Sequence, residues 1–269
     1  MSHSASPDAS LEAALRRLAG VGRLLVALDF DGVVAPIVTR AEDARPTPET
    51  ADAVARLAGL PDTLTAFVSG RSLASLVKVA SPDPRTLLVG SHGAEVRLGG
   101  EEHPVVLDPE QEAALATLHR VLAEVSSQAE GTWVEEKPAG RVLHTREAAP
   151  ETAAAAVAEA RRQLAAHAGV FIKEGKQVLE CSVVHATKGE GIAFLRQVAE
   201  ADAVFFAGDD VTDEDAFRAL EAGDVGVKVG EGETAAEFRV TDPAAMAQTV
   251  ELLARLRADL TARRPQDQA

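Results

Sequence analysis

The feature that most limits how this chain can fold is an apolar run that ends abruptly in carboxylates. Leu24 to Leu28 lead straight into Asp29-Phe30-Asp31-Gly32. An unbroken apolar stretch of this length reads as a strand buried on both faces, the kind found in parallel sheets covered by helices. A second such run, residues 203–207, ends in Gly208-Asp209-Asp210-Val211-Thr212-Asp213. Open parallel sheets bind ligands beyond the carboxyl ends of their strands, where the strand order reverses. If the two strands are neighbours, several carboxylates converge in one crevice. Their mutual repulsion then needs a hard dication with oxygen ligands, Mg²⁺ above all. One capping residue would suffice to close a strand, so the pair Asp29 and Asp31 points to chemistry. Asp213 and Asp215 fit a helix-capping box starting at Thr212 equally well.

The surrounding pattern alternates strand and helix. A helix is predicted over residues 11–19, with Ser10 as cap and Gly20 as stop. Another opens at Thr47-Pro48-Glu49, with proline at the first helical position. Buried strands are predicted over 64–68 and 87–89, the first closed by Ser69-Gly70-Arg71 and the second by Gly90-Ser91-His92-Gly93. This rhythm predicts an α/β, Rossmann-like core: a parallel sheet with helices on both faces. The rhythm then breaks. A helix from Asp108-Pro109 to about 126, strands over 132–137 and 141–146, a helix over 150–168 and strands over 170–173 and 177–182 form an inserted αββαββ unit. The parallel pattern resumes at Lys188 and ends with a helix behind Asp242-Pro243 that reaches about Arg257. The expected division is a core of residues 1–105 and 184–269 around a second domain of 106–183. Hinges are expected near 97–107 and 182–187.

Composition removes several classes of function. Lys and Arg total 27 against 42 Asp and Glu, a net charge of −15, which opposes encounter with nucleic acid or an anionic membrane. No stretch approaches 18 uninterrupted apolar residues, so no membrane span is expected. Cys181 is the single cysteine, which excludes an internal disulfide and a cysteine-based zinc site and fits a reducing, cytoplasmic setting. The opening MSHSASPDAS shows no basic segment followed by an apolar one, so no secretory leader is expected. His3, His103, His119, His167 and His185 lack ligand spacing and read as surface residues. Cys181 reads as a small buried filler.

Four segments in order resemble the motifs of haloacid dehalogenase-like phosphohydrolases: Asp29-Phe30-Asp31-Gly32, Ser69 in VSGR, Lys188 in TKGEG, and Gly208 to Asp213. The ordered quartet is far more specific than any one of them. By this resemblance Asp29 is the nucleophile and Asp31 the general acid and base. Ser69 and Lys188 bind the phosphoryl group, and Mg²⁺ is held by Asp29, the main-chain carbonyl of Asp31, and Asp209. Asp210 and Asp213 are either further ligands or outer partners. In isolation Lys188 also reads as a solvated first-turn lysine, and Arg71 as a surface residue beginning a helix.

The inserted unit resembles the cap of the sugar-phosphate branch, and its details are similar to the trehalose-6-phosphate phosphatases. These are SHGAE at 91–95, Glu135-Glu136-Lys137 followed by His144-Thr145-Arg146, Gly175-Lys176-Gln177-Val178-Leu179-Glu180, and GDDVTDEDAF. The resemblance implies Mg²⁺-dependent conversion of trehalose 6-phosphate to trehalose and phosphate, beneath a cap that closes over the disaccharide. It implies that Glu135, Lys137 and Glu180 bind the distal sugar; Gly70 and Arg71 are expected as further substrate-binding residues, and His92 and Gly93, at a strand end, are expected at the site rim. His144 and Arg146 fit either the sugar or a salt bridge to Glu135 or Glu136, and Glu135 to Lys137 also read as an exposed strand face. Trp133 fits packing on a sugar face, but core or hinge packing is the expectation. Thr145, Ser91 and ECSVVHATKG depart from the family pattern at the sugar end. The alternatives are another capped sugar phosphatase, of sucrose-phosphate or mannosyl-phosphoglycerate type, and a non-catalytic sugar-phosphate sensor.

Overall fold

The computed structural model describes residues 8–103, 105–175 and 177–263. The chain divides into two units, one of residues up to His103 and from Ala186 onward, the other of Pro104–His185. His3, Lys176 and most of the polar tail lie outside the described residues.

The first unit is built on helices α1 (Ala9–Ala19), α2 (Pro48–Ala58), α3 (Leu73–Ala80), α6 (Lys188–Ala199), α7 (Asp213–Ala219) and α8 (Pro243–Arg263). Its strands are β1 (Leu24–Leu28), β2 (Thr63–Val68), β3 (Leu87–Gly90), β4 (Glu95–Leu98), β5 (Glu101–His103), β10 (Ala203–Gly208), β11 (Val225–Val229) and β12 (Phe238–Val240). They form one sheet in the order β12-β11-β10-β1-β2-β3-β4-β5. Pairing is parallel from β12 through β3, and antiparallel where β4 and β5 join the edge. That edge hairpin was not anticipated. It turns at Gly99 and Gly100, both at positive φ, inside the stretch read as a hinge.

Alternation along β1 separates the two faces. Leu24, Val26 and Leu28 join Phe205 and Val227 in a core filled by Leu15 and Leu18 of α1, Leu57 of α2, Leu76 of α3 and Leu253 of α8. Leu25 and Ala27 face the other way, with Phe206, onto Ile192 and Leu195 of α6 and Phe217 of α7. Helices therefore cover both faces, which explains why every residue of β1 is buried. Strand order reverses at β1: the chain proceeds from it to β2 and β3 on one side, and β10 to β12 occupy the other. The pairing of Leu28 with Ala207 brings the ends of β1 and β10 together.

The second unit contains α4 (Pro109–Ser127), β6 (Trp133–Lys137), β7 (Gly140–His144), α5 (Pro150–Leu164), β8 (Phe171–Gly175) and β9 (Val178–Ser182). Its antiparallel sheet has the order β6-β7-β9-β8. Leu143, Leu179 and Cys181 pack against Leu118, Leu122, Ala160 and Leu164 of the two helices. Burial pushes the Cys181 thiol up to about 12, in keeping with an inert filler.

Several boundaries differ from expectation for local reasons. The cap of α1 is Asp8, whose carboxylate accepts from Ser10 N–H. Thr212 makes no side-chain cap for α7, because its own backbone is already helical, at φ −69 and ψ −21, rather than in the extended conformation of a capping residue. Strand β7 stops at His144, which leaves Arg146 exposed beyond its end.

Candidate active site

The loop after β1 is closed by its own backbone. Val34 and Ala35 N–H both donate to Phe30 O, and Gly32 N–H donates to Ala35 O at 2.7 Å. Gly32 has φ +82, and a Cβ there would strike the carboxylate of Asp209. Only glycine permits both the left-handed turn and that close approach.

Asp29 is buried, and its Oδ1 accepts from Phe30 N–H at 2.7 Å and lies 3.0 Å from Lys188 Nζ. Lys188 is buried as well, and its Nζ donates to Asp213 Oδ1 at 2.7 Å. The solvated reading of this lysine is therefore excluded. It is placed by α6, which begins at Lys188 behind a complete capping box between Thr187 and Glu190. Asp213 Oδ2 accepts from Asp209 N–H at 2.9 Å and from Asp210 N–H at 2.8 Å, folding the β10–α7 loop around itself.

Asp29, Asp209 and Asp213 each offer one oxygen, and the three lie within 4.8 Å of one another. Burial, then the charge of Asp213, hold the Asp29 carboxyl well above its usual range. The same causes raise Asp209 to about 6. Burial disfavours a charged Lys188, but the two flanking carboxylates outweigh it, and its pKa lies above the ordinary value. One ammonium among three gathered carboxylates leaves excess negative charge in a poorly hydrated place. Clustered hard oxygen donors with raised affinity for positive charge suit a magnesium ion. Both oxygens of Asp213 already accept hydrogen bonds, which makes Asp29 and Asp209 the better direct ligands.

The remaining core residues fall into two groups. Asp31 accepts a two-pronged pair from Arg71, Nε to Oδ2 and Nη2 to Oδ1, both at 2.6 Å. Arg71 also lies over the Phe30 ring, 5.6 Å from its centroid. Ser69 is buried at the end of β2, its Oγ accepting from Arg71 N–H at 3.2 Å. His92 and Gly93 form a tight turn after β3, where His92 N–H donates to Ser69 O and the His92 ring packs against Gly70. Asp210 is exposed, and its carboxylate accepts from Val211 N–H, outside the three-carboxylate group.

In the second unit, pairing register sets the face. Glu135 and Glu180 both lie opposite Val142, and Trp133 and Val178 both lie opposite His144. Period-two alternation then places Trp133, Glu135, Lys137, His144 and Glu180 on one face and the apolar Leu143, Leu179 and Cys181 on the other, against the helices. His144 Nε2 and Glu135 Oε2 are 2.9 Å apart, and that hydrogen bond is the main reason the Glu135 pKa lies below its ordinary value. Trp133 corrects the expectation of core or hinge packing. It is 48% exposed and stacks flat on His144, centroids 3.8 Å apart and planes within 2°.

Sequence reasoning missed Lys228, which is buried on β11 and donates from Nζ to Asp209 O at 2.6 Å. The only available signal was a lysine inside an apolar strand. Glu95, read only as part of a motif, is buried and accepts from Ser91 Oγ at 2.5 Å, tying down the loop that carries His92.

The trehalose-phosphatase family model matches residues 27–244. The bifunctional trehalose-6-phosphate synthase/phosphatase of Thermoproteus tenax is 34% identical over 225 residues, covering 82% of this chain and 30% of that protein. The trehalose-6-phosphate phosphatase of Escherichia coli is 33% identical over 217 residues, covering 79% of each. The chain thus spans less than a third of the first relative and most of the second. The crystal structure of Aspergillus fumigatus trehalose-6-phosphate phosphatase superposes with a TM-score of 0.68 at 27% identity, covering 93% of this chain and 99% of that one.

Proposed function

Because the chain belongs to the trehalose-phosphatase family, we propose that it hydrolyses trehalose 6-phosphate to trehalose and inorganic phosphate. The observation that carries this reading is the group of Asp29, Asp209, Asp213 and Lys188 at the adjoining ends of β1 and β10.

In this mechanism the Asp29 carboxylate attacks phosphorus in line with the ester oxygen, giving an aspartyl-phosphate and releasing the sugar alkoxide. Lys188 draws charge from the phosphoryl oxygens, and its ammonium opposes the rise that burial and Asp213 give the Asp29 pKa. Ser69 Oγ and neighbouring main-chain N–H groups orient the phosphate. Asp31 gives a proton to the departing oxygen, then takes one from the water that attacks the phosphorus of the intermediate, so phosphate leaves and Asp29 is regenerated. Both oxygens of Asp31 accept from Arg71, so it can act as an acid only after that pair opens and one of its oxygens takes up a proton from solvent. An arriving phosphate dianion, which attracts the same guanidinium, supplies the reason for it to open. Magnesium held by Asp29, Asp209 and the Asp31 carbonyl would neutralise the negative charge that accumulates around the transferring group.

Sugar selection is assigned to the exposed face of the second sheet, with Glu135, Lys137 and Glu180 as the contacts. Fixed carboxylate acceptors and an ammonium donor suit a neutral polyhydroxylated ring. The pairing of His144 with Glu135 makes it a holder of that carboxylate. Among the described residues no helix is long and apolar enough to cross a membrane, and a reducing, cytoplasmic setting suits the lone buried thiol of Cys181.

The test is phosphate release from trehalose 6-phosphate, sucrose 6-phosphate, mannosyl phosphoglycerate and glucose 6-phosphate, with Mg²⁺ and with a chelator. Preference for the trehalose ester and loss on chelation are expected. Preference for another ester would remove the substrate, and full activity in chelator would remove the metal.

A further inference from the structure

Lys228 and Lys188 are the two buried lysines among the described residues, 4% and 2% exposed. Lys188 belongs to the phosphoryl site. Lys228 reaches the same loop from the other side, and its position has a specific geometric consequence.

Lys228 pairs with Gly208 in the register of β11 and β10, so its side chain starts beside the last residue of β10, directly before the β10–α7 loop. Its Nζ donates to Asp209 O at 2.6 Å and lies 3.9 Å from Glu214 Oε1. Glu214 is itself buried, and its Oε2 accepts from Ala235 N–H at 2.8 Å. Asp213 Oδ2 meanwhile accepts from both Asp209 N–H and Asp210 N–H. The two peptide planes flanking the Asp209 α-carbon are thus pinned. The preceding plane is held through its N–H by a carboxylate. The following plane is held through its N–H by that same carboxylate and through its carbonyl by the Lys228 ammonium. Fixing both planes fixes φ and ψ of Asp209, and with them the direction of the Cα–Cβ bond from which its carboxylate reaches the group shared with Asp29.

We propose that Lys228 is a positioning residue for the magnesium site: it holds the Asp209 backbone so that its carboxylate meets the ion without rearrangement. This rests on the metal reading above and extends it to a residue that touches neither ion nor substrate. The sign of its effect separates positioning from simple electrostatics. By Coulomb's law alone, removing a nearby cation makes the carboxylate site more negative and strengthens Mg²⁺ binding. Loss of positioning weakens it, by about tenfold on the scale of outer-shell partners of metal ligands.

The experiment is calorimetric titration of the full chain with MgCl₂, alongside the Mg²⁺-induced rise in melting temperature. Lys228→Met is expected to bind Mg²⁺ about tenfold more weakly than wild type and to show a smaller rise, with Lys228→Arg recovering most of the affinity. Equal or tighter binding in Lys228→Met overturns the proposal. If that variant does not fold, Lys228→Gln, too short to reach the carbonyl, is read in the same way. If neither folds, Lys228 serves the core and the proposal falls. Wild type that takes up no Mg²⁺ would instead remove the metal reading itself, so the two failures are distinct.

Discussion

Asp29 shows how burial converts a common side chain into a reactive one. An exposed aspartate is a hydrated anion; here the carboxylate has lost most of its water and gained one ammonium partner at 3.0 Å. Asp29→Asn keeps the size and the main-chain hydrogen bond but removes the nucleophile. Phosphate release should fall at least about a thousandfold, while the circular dichroism spectrum stays that of wild type. Normal release would reject Asp29 as the attacking group. In the second unit, the hydrogen bond with His144 is the main cause that lowers the Glu135 pKa. A depressed carboxyl pKa stabilises the folded state above the unfolded value, and that contribution is lost as pH falls through the folded one. Replacing His144 by Phe should move the Glu135 pKa back upward, read by carbon-13 titration of its carboxyl. An unmoved value would show that His144 is not its holder.

The elements act by delivering these groups to fixed places. Helix α6 presents Lys188 as its first residue because Thr187 Oγ1 accepts from Glu190 N–H while Glu190 Oε2 accepts from Thr187 N–H. Thr187→Ala removes half of that box. It should cost about 1 kcal/mol of stability, and it should lower kcat further than a fold-stability change explains, because the first turn that carries Lys188 frays. Urea unfolding and saturating kinetics on one preparation separate the two effects; parallel small losses would show that α6 holds Lys188 without its cap. Strand ends work in the same way. Asp29, Ser69 and the loop that opens at Asp209 each follow the last residue of a buried strand, where ladder pairing stops and the backbone is free to turn.

Across the whole molecule, distant segments are fastened by a residue that no local pattern marks. Arg257 of α8 is fully buried and donates to Ala19 O, Val21 O, Gly22 O, Asp62 O and Thr63 Oγ1, joining the ends of α1 and α8 to the starts of β1 and β2. Arg257→Met would leave those acceptors unpaired in an apolar place, and a loss of about 3 kcal/mol is expected in urea unfolding. A loss below about 1 kcal/mol would mean that water replaces the guanidinium. Alternation of apolar runs, capping residues and turn glycines was enough to place the central strands, the paired carboxylates and the inserted αββαββ unit, since each of those signals acts over a few residues. Short-range signals could not show that β10 lies against β1, that Lys188 and Lys228 are buried, that Trp133 stacks on His144, or that Asp213 turns back on its own loop. Those facts depend on which segments far apart in the chain become neighbours. That choice is made when the sheet closes and the lost hydration of each buried charge must be replaced by a partner from elsewhere.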